Sequence, residues 1–204
     1  MKIVIVGGVA GGASAATRLR RLSEDAEIVL FEKGEYVSYA NCGMPYYIGG
    51  AIRERERLIV TKAQLFQDRF GIDVRLKSEV MSINREKKTV TVLDHSENRT
   101  YEETYDKLLL SPGAYPKVFP IPGVDSKGIF TLRNLTDTFA IDDYIKSTGA
   151  GRALVVGGGF IGLEMAENLA HRGLAVTVLE KLPQVMPPLD AEVAHAVAEH
   201  LRGR

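Results

Sequence analysis

Cys42 is the only cysteine in a chain of 204 residues, and it lies in the stretch Tyr36-Val37-Ser38-Tyr39-Ala40-Asn41-Cys42-Gly43-Met44-Pro45-Tyr46-Tyr47. A lone cysteine is more often a small buried apolar residue than a reactive group, so its neighbours decide what it is. Gly43 to Ile48 reads as a short helix with Pro45 in its first turn. A position of this kind, at a helix N-terminus beside free backbone amides, is one where reactive cysteines are found. On either side of this stretch lie two glycine-rich segments whose spacing suits dinucleotides, and they are the natural source of electrons for Cys42.

The first segment follows Ile3-Val4-Ile5-Val6, an unbroken apolar run of the kind buried on both faces of a parallel sheet. Gly7-Gly8-Val9-Ala10-Gly11-Gly12 comes next. Ala13 to Leu22 then reads as a helix, and Ile28-Val29-Leu30-Phe31 as a second strand closed by Glu32. An acid twenty residues after Gly12 completes a βαβ dinucleotide unit. Gly7 permits the turn off the strand and Gly12 the close packing of helix on sheet. The helix N-terminus offers amides to a pyrophosphate, and Glu32 accepts from a ribose diol. Val9 stands where the strict motif has glycine.

The second segment, Gly157-Gly158-Gly159-Phe160-Ile161-Gly162, is a strict G-x-G-x-x-G after the apolar run Ala153-Leu154-Val155-Val156. A helix to about His171 and the strand Val176-Thr177-Val178-Leu179 lead to Glu180. Gly7 and Gly12 map onto Gly157 and Gly162 with a constant offset of 150, and Glu32 maps onto Glu180 with an offset of 148. Two such units in one chain are far harder to obtain by chance than one. A flavin and a nicotinamide nucleotide are the natural pair of ligands. Glu180 repels a 2′-phosphate and so favours NADH over NADPH, a preference that the adjacent Lys181 moderates.

Between the units, Thr61 to Phe70 reads as a helix stopped by Gly71, and Ile72 to Leu76 as a strand. Val80 to Ile83, Thr89 to Leu93 and Arg99 to Tyr105 form an antiparallel meander with its turn at His95-Ser96-Glu97-Asn98. Leu108-Leu109-Leu110 returns to a buried strand. Pro112, Pro116, Pro120 and Pro122 mark a linker. Asp137 to Lys146 and the segment from Asp190 read as helices. The expected fold is therefore α/β: two Rossmann-like dinucleotide-binding units, the second incomplete, with a small antiparallel meander in the first. The expected division is 1–113 for flavin binding, 114–128 as linker and 129–204 for the nicotinamide nucleotide.

Twenty-six basic and twenty-six acidic side chains cancel, which excludes a global field suited to nucleic acid or an acidic membrane. No apolar run approaches the roughly 20 residues needed to span a bilayer. The apolar run after Met1-Lys2 is only four residues long, too short for a signal peptide. The single cysteine fits a reducing, cytoplasmic compartment. The four histidines show no ligand spacing, and no metal is assigned.

On the residues Gly7 to Gly12, Ser38-Tyr39-Ala40-Asn41-Cys42 and Leu110-Ser111-Pro112-Gly113-Ala114, the chain resembles the pyridine nucleotide–disulfide oxidoreductases, and within them the single-cysteine coenzyme A–disulfide reductases. Tyr39 stands where that group usually has Phe. The dithiol branch needs a second cysteine at position 47, which is Tyr47. A lone Cys42 must instead cycle through a mixed disulfide with an external thiol, or through a sulfenic acid. The resemblance implies electron flow from NADH (or NADPH) through FAD to Cys42.

It also implies cofactor contacts from Gly7, Gly8, Val9, Ala10, Gly11, Gly12, Glu32, Lys33, Val80, Ser111, Gly113 and Arg133. In the second unit it implies them from Gly157, Gly159, Phe160, Ile161, Gly162, Glu164 and Glu180, with Phe160 as a gate over the flavin or else a helix-packing residue. Coenzyme A contacts fall to Ser14, Arg18, Arg21, Ser38 and Asn41. Arg18 and Arg21 lie three apart on one helix face and suit phosphates, although with Arg20 they also read as a solvated face. Full-length relatives are expected to be homodimers. Two further readings stand beside the reductase: an NADH oxidase or peroxidase using a cysteine sulfenic acid, and a non-catalytic nucleotide-binding fragment, since the family's later strands and dimerisation domain are not among these residues.

Overall fold

Strand β1 (Lys2–Val6) is apolar on both faces and is the hub of a parallel sheet. The computed structural model describes residues 1–202. In chain order β1 is followed by α1 (Gly11–Leu22), β2 (Glu27–Phe31), α2 (Met44–Ile48), α3 (Ala63–Phe70), β3 (Asp73–Arg75), β4 (Ser78–Asn84), β5 (Thr89–Asp94), β6 (Arg99–Thr104), β7 (Lys107–Leu110), α4 (Leu135–Thr148), β8 (Arg152–Val156), α5 (Phe160–His171), β9 (Ala175–Leu179) and α6 (Ala191–Arg202). Contacts divide the chain into two units. Met1–Ala40 and Ile59–Tyr115 form the first; Asn41–Leu58 and the residues from Pro116 onward form the second. Residues 203 and 204, the end of the expected second domain, lie outside the described residues.

In the first unit the strand order is β3-β2-β1-β7, with every pair parallel and Lys2 opposite Glu27 through Val6 opposite Phe31. The period of two sorts the side chains into two cores. Ile3, Ile5, Ile28 and Leu30 pack under Ala13 and Ala16 of α1 and Phe66 of α3. Val4, Val29 and Phe31 face the other way, against Val90 and Val92 of the β4-β5-β6 meander. Both faces of β1 and β2 are thus covered, as their unbroken apolar runs predict. Helix α3 stops where Gly71 turns left-handed at φ 55°, its N–H bonded to the Gln67 carbonyl while the Ile72 N–H reaches Phe66. It starts at Ala63 rather than Thr61 because Lys62 is still extended.

In the second unit β8 and β9 pair in parallel from Arg152–Ala175 to Val156–Leu179. Helix α4 begins with a reciprocal cap. The Asn134 side chain accepts the Asp137 N–H at 2.9 Å, and Asp137 accepts the Arg133 N–H at 2.8 Å. It ends on left-handed Gly149. One sequence expectation changes here. The apolar run of β8 predicts a buried strand, yet exposure alternates along it, and Leu154 and Val156 are open; β9 alternates in the same way, with Leu179 open. Helix α5 packs on this sheet through Met165, Ala166 and Leu169. A run of apolar residues reports what a strand can bury, whereas the layers present decide what it does bury. The strand β7, also expected to be buried, is half-buried at Leu108 and Leu109 and exposed at Leu110.

The short helix α2 buries Met44, Pro45, Tyr47 and Ile48. Its last turn runs into Gly49, where a Cβ would lie 2.8 Å from the Asn168 Cβ and collide with the Asn168 amide oxygen. Gly49 has φ −70°, so close approach rather than backbone shape requires glycine there. Asn168 is buried and donates its amide to the Glu164 carbonyl at 2.8 Å, which prevents it from swinging aside. Gly49→Ala is therefore expected to cost about 1–3 kcal/mol, read as a lowered midpoint in thermal unfolding with secondary structure retained.

Candidate functional site

The first glycine loop is closed by hydrogen bonds that the βαβ pattern makes available. Gly7, at φ 93°, donates to the Phe31 carbonyl at 2.8 Å. Gly8 donates to Glu32 Oε2 at 2.7 Å, while Glu32 Oε1 accepts from Gly34 N–H at 2.8 Å. A Cβ on Gly12 would overlap the Gly7 carbonyl oxygen, with the carbonyl carbon 3.0 Å away. This contact is what brings the start of α1 down onto the loop. The helix has no side-chain cap and no acid in its first turn, so its amides are turned to an incoming anion.

Ser111 backs the loop from β7. Its N–H reaches the Val6 carbonyl at 2.8 Å and its Oγ bonds the Val6 and Gly7 carbonyls at 3.2 and 3.3 Å. Lys33 pairs with Glu79 at 2.7 Å and donates to Tyr115 Oη at 3.1 Å. Val80 packs on the Val4 core, and Gly113 is exposed at φ 71°. Val9, Ala10 and Gly11 form the outward part of the loop.

The second loop repeats the glycine and glutamate bonds of the first. Gly157, at φ 109°, donates to the Leu179 carbonyl at 2.8 Å, and Gly158 donates to Glu180 Oε2 at 2.6 Å. Glu180 Oε1 accepts the Leu182 N–H at 2.8 Å. These amide bonds from Leu182 and Gly158 hold the Glu180 carboxyl below its usual range, so it is an anion throughout the neutral range. A Cβ on Gly162 would overlap the Gly157 carbonyl oxygen. Gly159 is different: a Cβ there would meet nothing within 4 Å, and its φ of −81° suits any residue. Packing gives no reason for glycine at 159, and the bare space over the start of α5 fits the close approach of a pyrophosphate. Phe160 and Ile161 are both exposed at this edge, and Glu164 is half-buried one turn further on.

The repeat also extends beyond what the sequence displays. Ser38 donates its N–H to the Gly8 carbonyl at 3.0 Å, and Met186 donates to the Gly158 carbonyl at 2.7 Å. Both are left-handed, at φ 47° and 51°, and each lies six residues after its acid. A serine and a methionine share no chemistry that would have flagged this equivalence; the backbone alone carries it. Ser38 also accepts from Val60 N–H at 2.7 Å and Thr61 N–H at 3.1 Å.

Cys42 sits in a single 3-10 turn, Asn41–Gly43, that runs directly into α2 with Pro45 in the first turn. Its thiol is free and exposed, as is the Asn41 side chain. The buried residues behind it form a polar knot. Asp142 of α4, 2% exposed, accepts from Arg172 at 2.7 Å on Oδ1, and from Lys146 at 2.7 Å and Tyr47 Oη at 3.2 Å on Oδ2. Arg172 Nη1 also donates to the Ile48 carbonyl at 2.7 Å. Arg55 bonds Tyr47 Oη and Asp143, and its guanidinium lies 4.5 Å from the Phe139 ring centroid. Tyr47, where the dithiol branch needs a second cysteine, is thus a buried anchor, edge-on to Phe139.

Burial pushes the Asp142 carboxyl up, but Lys146 and Arg172 outweigh it and hold the group below its usual range. A depressed carboxyl stabilises the fold fully above the unfolded value near about 3.9 and loses that contribution as pH falls through the lower folded value. We expect acid unfolding of wild type to include a proton uptake that is missing from Asp142→Asn, read by stability against pH from 6 to about 2.

Of the residues assigned to coenzyme A, Ser14, Arg18, Arg21 and Ser38 belong to the first unit and Asn41 to the second. Ser14, Arg18 and Arg21 lie on the exposed side of α1, and neither arginine has a partner among the described residues. Arg20 does not share that face. It is locked to the carbonyls of Phe70, Gly71, Ser23 and Glu24. Arg133 precedes the α4 cap. Tyr47, Arg55, Asp142 and Arg172 were not legible as site residues, although Asp142 interrupts the apolar stripe of Leu135, Phe139 and Ile145, which is a signal. Among the described residues no group of three or more His, Cys, Asp or Glu side chains could hold a metal ion, and no helix is long and apolar enough to cross a membrane.

Known proteins share this arrangement. The chain is 45% identical over 203 residues to coenzyme A disulfide reductase of Staphylococcus epidermidis, covering 100% of this chain and 46% of that relative. It therefore spans about half the length of the curated relatives it matches. Reduced Bacillus anthracis CoADR-RHD superposes with a TM-score of 0.97 at 55% identity, over 99% of this chain and 36% of that one. An NAD-dependent persulfide reductase from A. fulgidus superposes at 0.94 with 38% identity, over 100% and 38% respectively. The profile of the pyridine nucleotide-disulphide oxidoreductases matches residues 1–204. With its two repeated glycine loops and its match to that profile from end to end, this chain belongs to the pyridine nucleotide-disulphide oxidoreductase family.

Proposed function

We propose that this chain carries the redox centre of an FAD- and NADH-dependent reductase of small disulfides, with coenzyme A disulfide as the favoured substrate and persulfide or polysulfide sulfur as close alternatives. The observation that carries the reading is Cys42: an exposed, unpaired thiol on a turn held by buried residues, in a chain with two dinucleotide loops. Its Sγ attacks one sulfur of the disulfide, forming a mixed disulfide and releasing the first thiolate. A flavin held at the first glycine loop would supply the electron pair taken from NADH, and Cys42 would then be released from the mixed disulfide together with the second thiol. Atoms balance as one disulfide, one NADH and one proton giving two thiols and NAD⁺.

The residues divide the work. We assign 1–113 to FAD, 114–128 to a linker and 129–204 to the nicotinamide nucleotide. In the first loop Gly7 and Gly12 set the backbone, Ser111 backs it, and the amides at the start of α1 face the pyrophosphate. Gly159 leaves the matching space in the second unit. Anionic Glu180 retains free lone pairs for a ribose 2′-hydroxyl and repels a 2′-phosphate, so NADH is preferred; equal affinity for NADPH would remove this assignment. Arg18 and Arg21, exposed and without a partner among the described residues, suit the phosphates of coenzyme A, with Ser14, Ser38 and Asn41 as further contacts. A cytoplasmic location follows from the need for a free thiol.

The test is direct. The purified protein is examined for a flavin spectrum, then for NADH oxidation with coenzyme A disulfide, polysulfide, peroxide or oxygen as acceptor. Two coenzyme A thiols per NADH is the expected result. Retention of flavin with turnover on peroxide or oxygen alone would establish the sulfenic-acid chemistry instead. Failure to retain flavin would leave a nucleotide-binding fragment without activity.

A further inference from the structure

We propose that Asp142 and Arg172 are positioning residues for Cys42, fixing the thiol-bearing turn by holding the far end of helix α2. The inference rests on Cys42 being the redox group, and it adds how the fold aims that group.

Helix α2 has five residues, too few to be stable alone, and no side chain caps its start. The Asn41–Gly43 turn that carries the thiol buries no side chain of its own. Its direction is therefore inherited from α2, and α2 takes its direction from what grips it. Besides Arg55 and Phe139, which meet Tyr47, three contacts do so within the same unit. Arg172 donates to the Ile48 carbonyl, one of the last backbone acceptors of the helix. Tyr47 Oη bonds Asp142. Gly49 lies flat against buried Asn168. The first two converge on a single carboxylate, because Arg172 Nη1 bonds Ile48 and Asp142 Oδ1 together.

Lys146 also reaches Asp142 and helps to keep it ionised, but its side chain is 62% exposed, so the pair does little to fix the position of the carboxylate. Arg172, at 18%, is the partner that matters. A buried carboxylate paired in this way is a poor source of net stability compared with apolar packing, yet removal of one partner strands the other. That asymmetry suits orientation better than stabilisation. Reaction between thiol and disulfide demands in-line approach of sulfur, and a misplacement of about 1 Å at such a centre costs on the order of a hundredfold in rate.

The experiment compares Asp142→Asn, Arg172→Met, their combination, Arg172→Lys and Tyr47→Phe in the cofactor-loaded protein. Steady-state kinetics with the disulfide, bound flavin content and thermal unfolding are measured for each. The expected result is a fall in kcat of about ten- to a hundredfold for Asp142→Asn and Arg172→Met, with KM for NADH and flavin content unchanged. The double variant should be no worse than the worse single one, the mark of a shared contact. Arg172→Lys should recover most of the loss, since one nitrogen makes both bonds. Tyr47→Phe, which removes one hydroxyl and keeps the packing, should lose kcat about threefold to fivefold with unfolding near wild type.

A kcat within twofold of wild type in Asp142→Asn and Arg172→Met, per folded and flavin-bearing molecule, would overturn the proposal. So would a loss that follows the folded fraction alone. If these two variants do not fold, an unchanged kcat in Tyr47→Phe overturns it. Cys42→Ser run in parallel separates the two readings: disulfide reduction surviving in Cys42→Ser removes the redox assignment itself, whereas its loss there beside full activity in Asp142→Asn removes only the clamp.

Discussion

Cys42→Ser is expected to lower NADH-dependent disulfide reduction by at least about 10⁴-fold in kcat, the scale on which removal of a covalent nucleophile acts. The reason is electronic rather than structural. Serine is nearly isosteric, and because the Cys42 side chain is exposed and unbonded, the substitution breaks no packing and leaves no buried group unpaired. Thermal unfolding should stay within about 0.5 kcal/mol of wild type, as for surface changes generally. A hydroxyl, however, neither attacks a disulfide at neutral pH nor accepts an electron pair through a sulfur–sulfur bond. No second cysteine exists to take over, and position 47 is filled by a buried tyrosine bound to Asp142. The measurement is kcat with coenzyme A disulfide alongside NADH reduction of the bound flavin, which should persist. Undiminished disulfide turnover in Cys42→Ser would end the single-thiol mechanism.

Gly12→Ala and Gly162→Ala should each disable one nucleotide and spare the other. In both, the added Cβ overlaps a backbone carbonyl oxygen rather than the tip of a side chain. Backbone cannot rotate out of the way, so the start of α1 or α5 must lift off its loop. The cost is about 3 kcal/mol, the upper end of ordinary overpacking, and it falls on the amides that face the pyrophosphate. Gly12→Ala is expected to elute from gel filtration without flavin absorbance. Gly162→Ala is expected to keep its flavin but to bind NADH more weakly by about a hundredfold, as about 3 kcal/mol implies, in a fluorescence titration. Normal NADH affinity in Gly162→Ala would show that the second loop does not cradle a nucleotide. Gly159→Ala is the informative companion, because its Cβ meets no protein atom. A loss of NADH affinity there, with unfolding unchanged, reports contact with the ligand alone.

Much of the fold around this candidate site was legible in the sequence, for reasons that lie along the chain. Glycine spacing, flanking apolar runs and an acid at the end of the second strand are local features, and each predicts its element with its function. What Glu32 and Glu180 do before any ligand arrives was not legible. Each bonds the N–H of the second residue of its own loop, a contact that arises only when β2 and β9 lie beside their partners. The arginines of α1 make the same point. Arg18, Arg20 and Arg21 are equivalent as letters, yet the fold spends Arg20 on four backbone carbonyls and leaves Arg18 and Arg21 open.

The sequence by itself determined the two βαβ units, their order, the single thiol between the loops and the short proline-led helix behind it. These rest on propensity and periodicity, which act over a few residues. The tertiary structure decided what holds that thiol. Tyr47 meets Asp142 across 95 residues and Ile48 meets Arg172 across 124, pairings that no local spacing can announce. It also decided that β8 and β9 are no more than half-buried on one face, since burial depends on the layers that assemble and not on the apolar content of a strand. Chemistry was written in residue types; aim was set by packing.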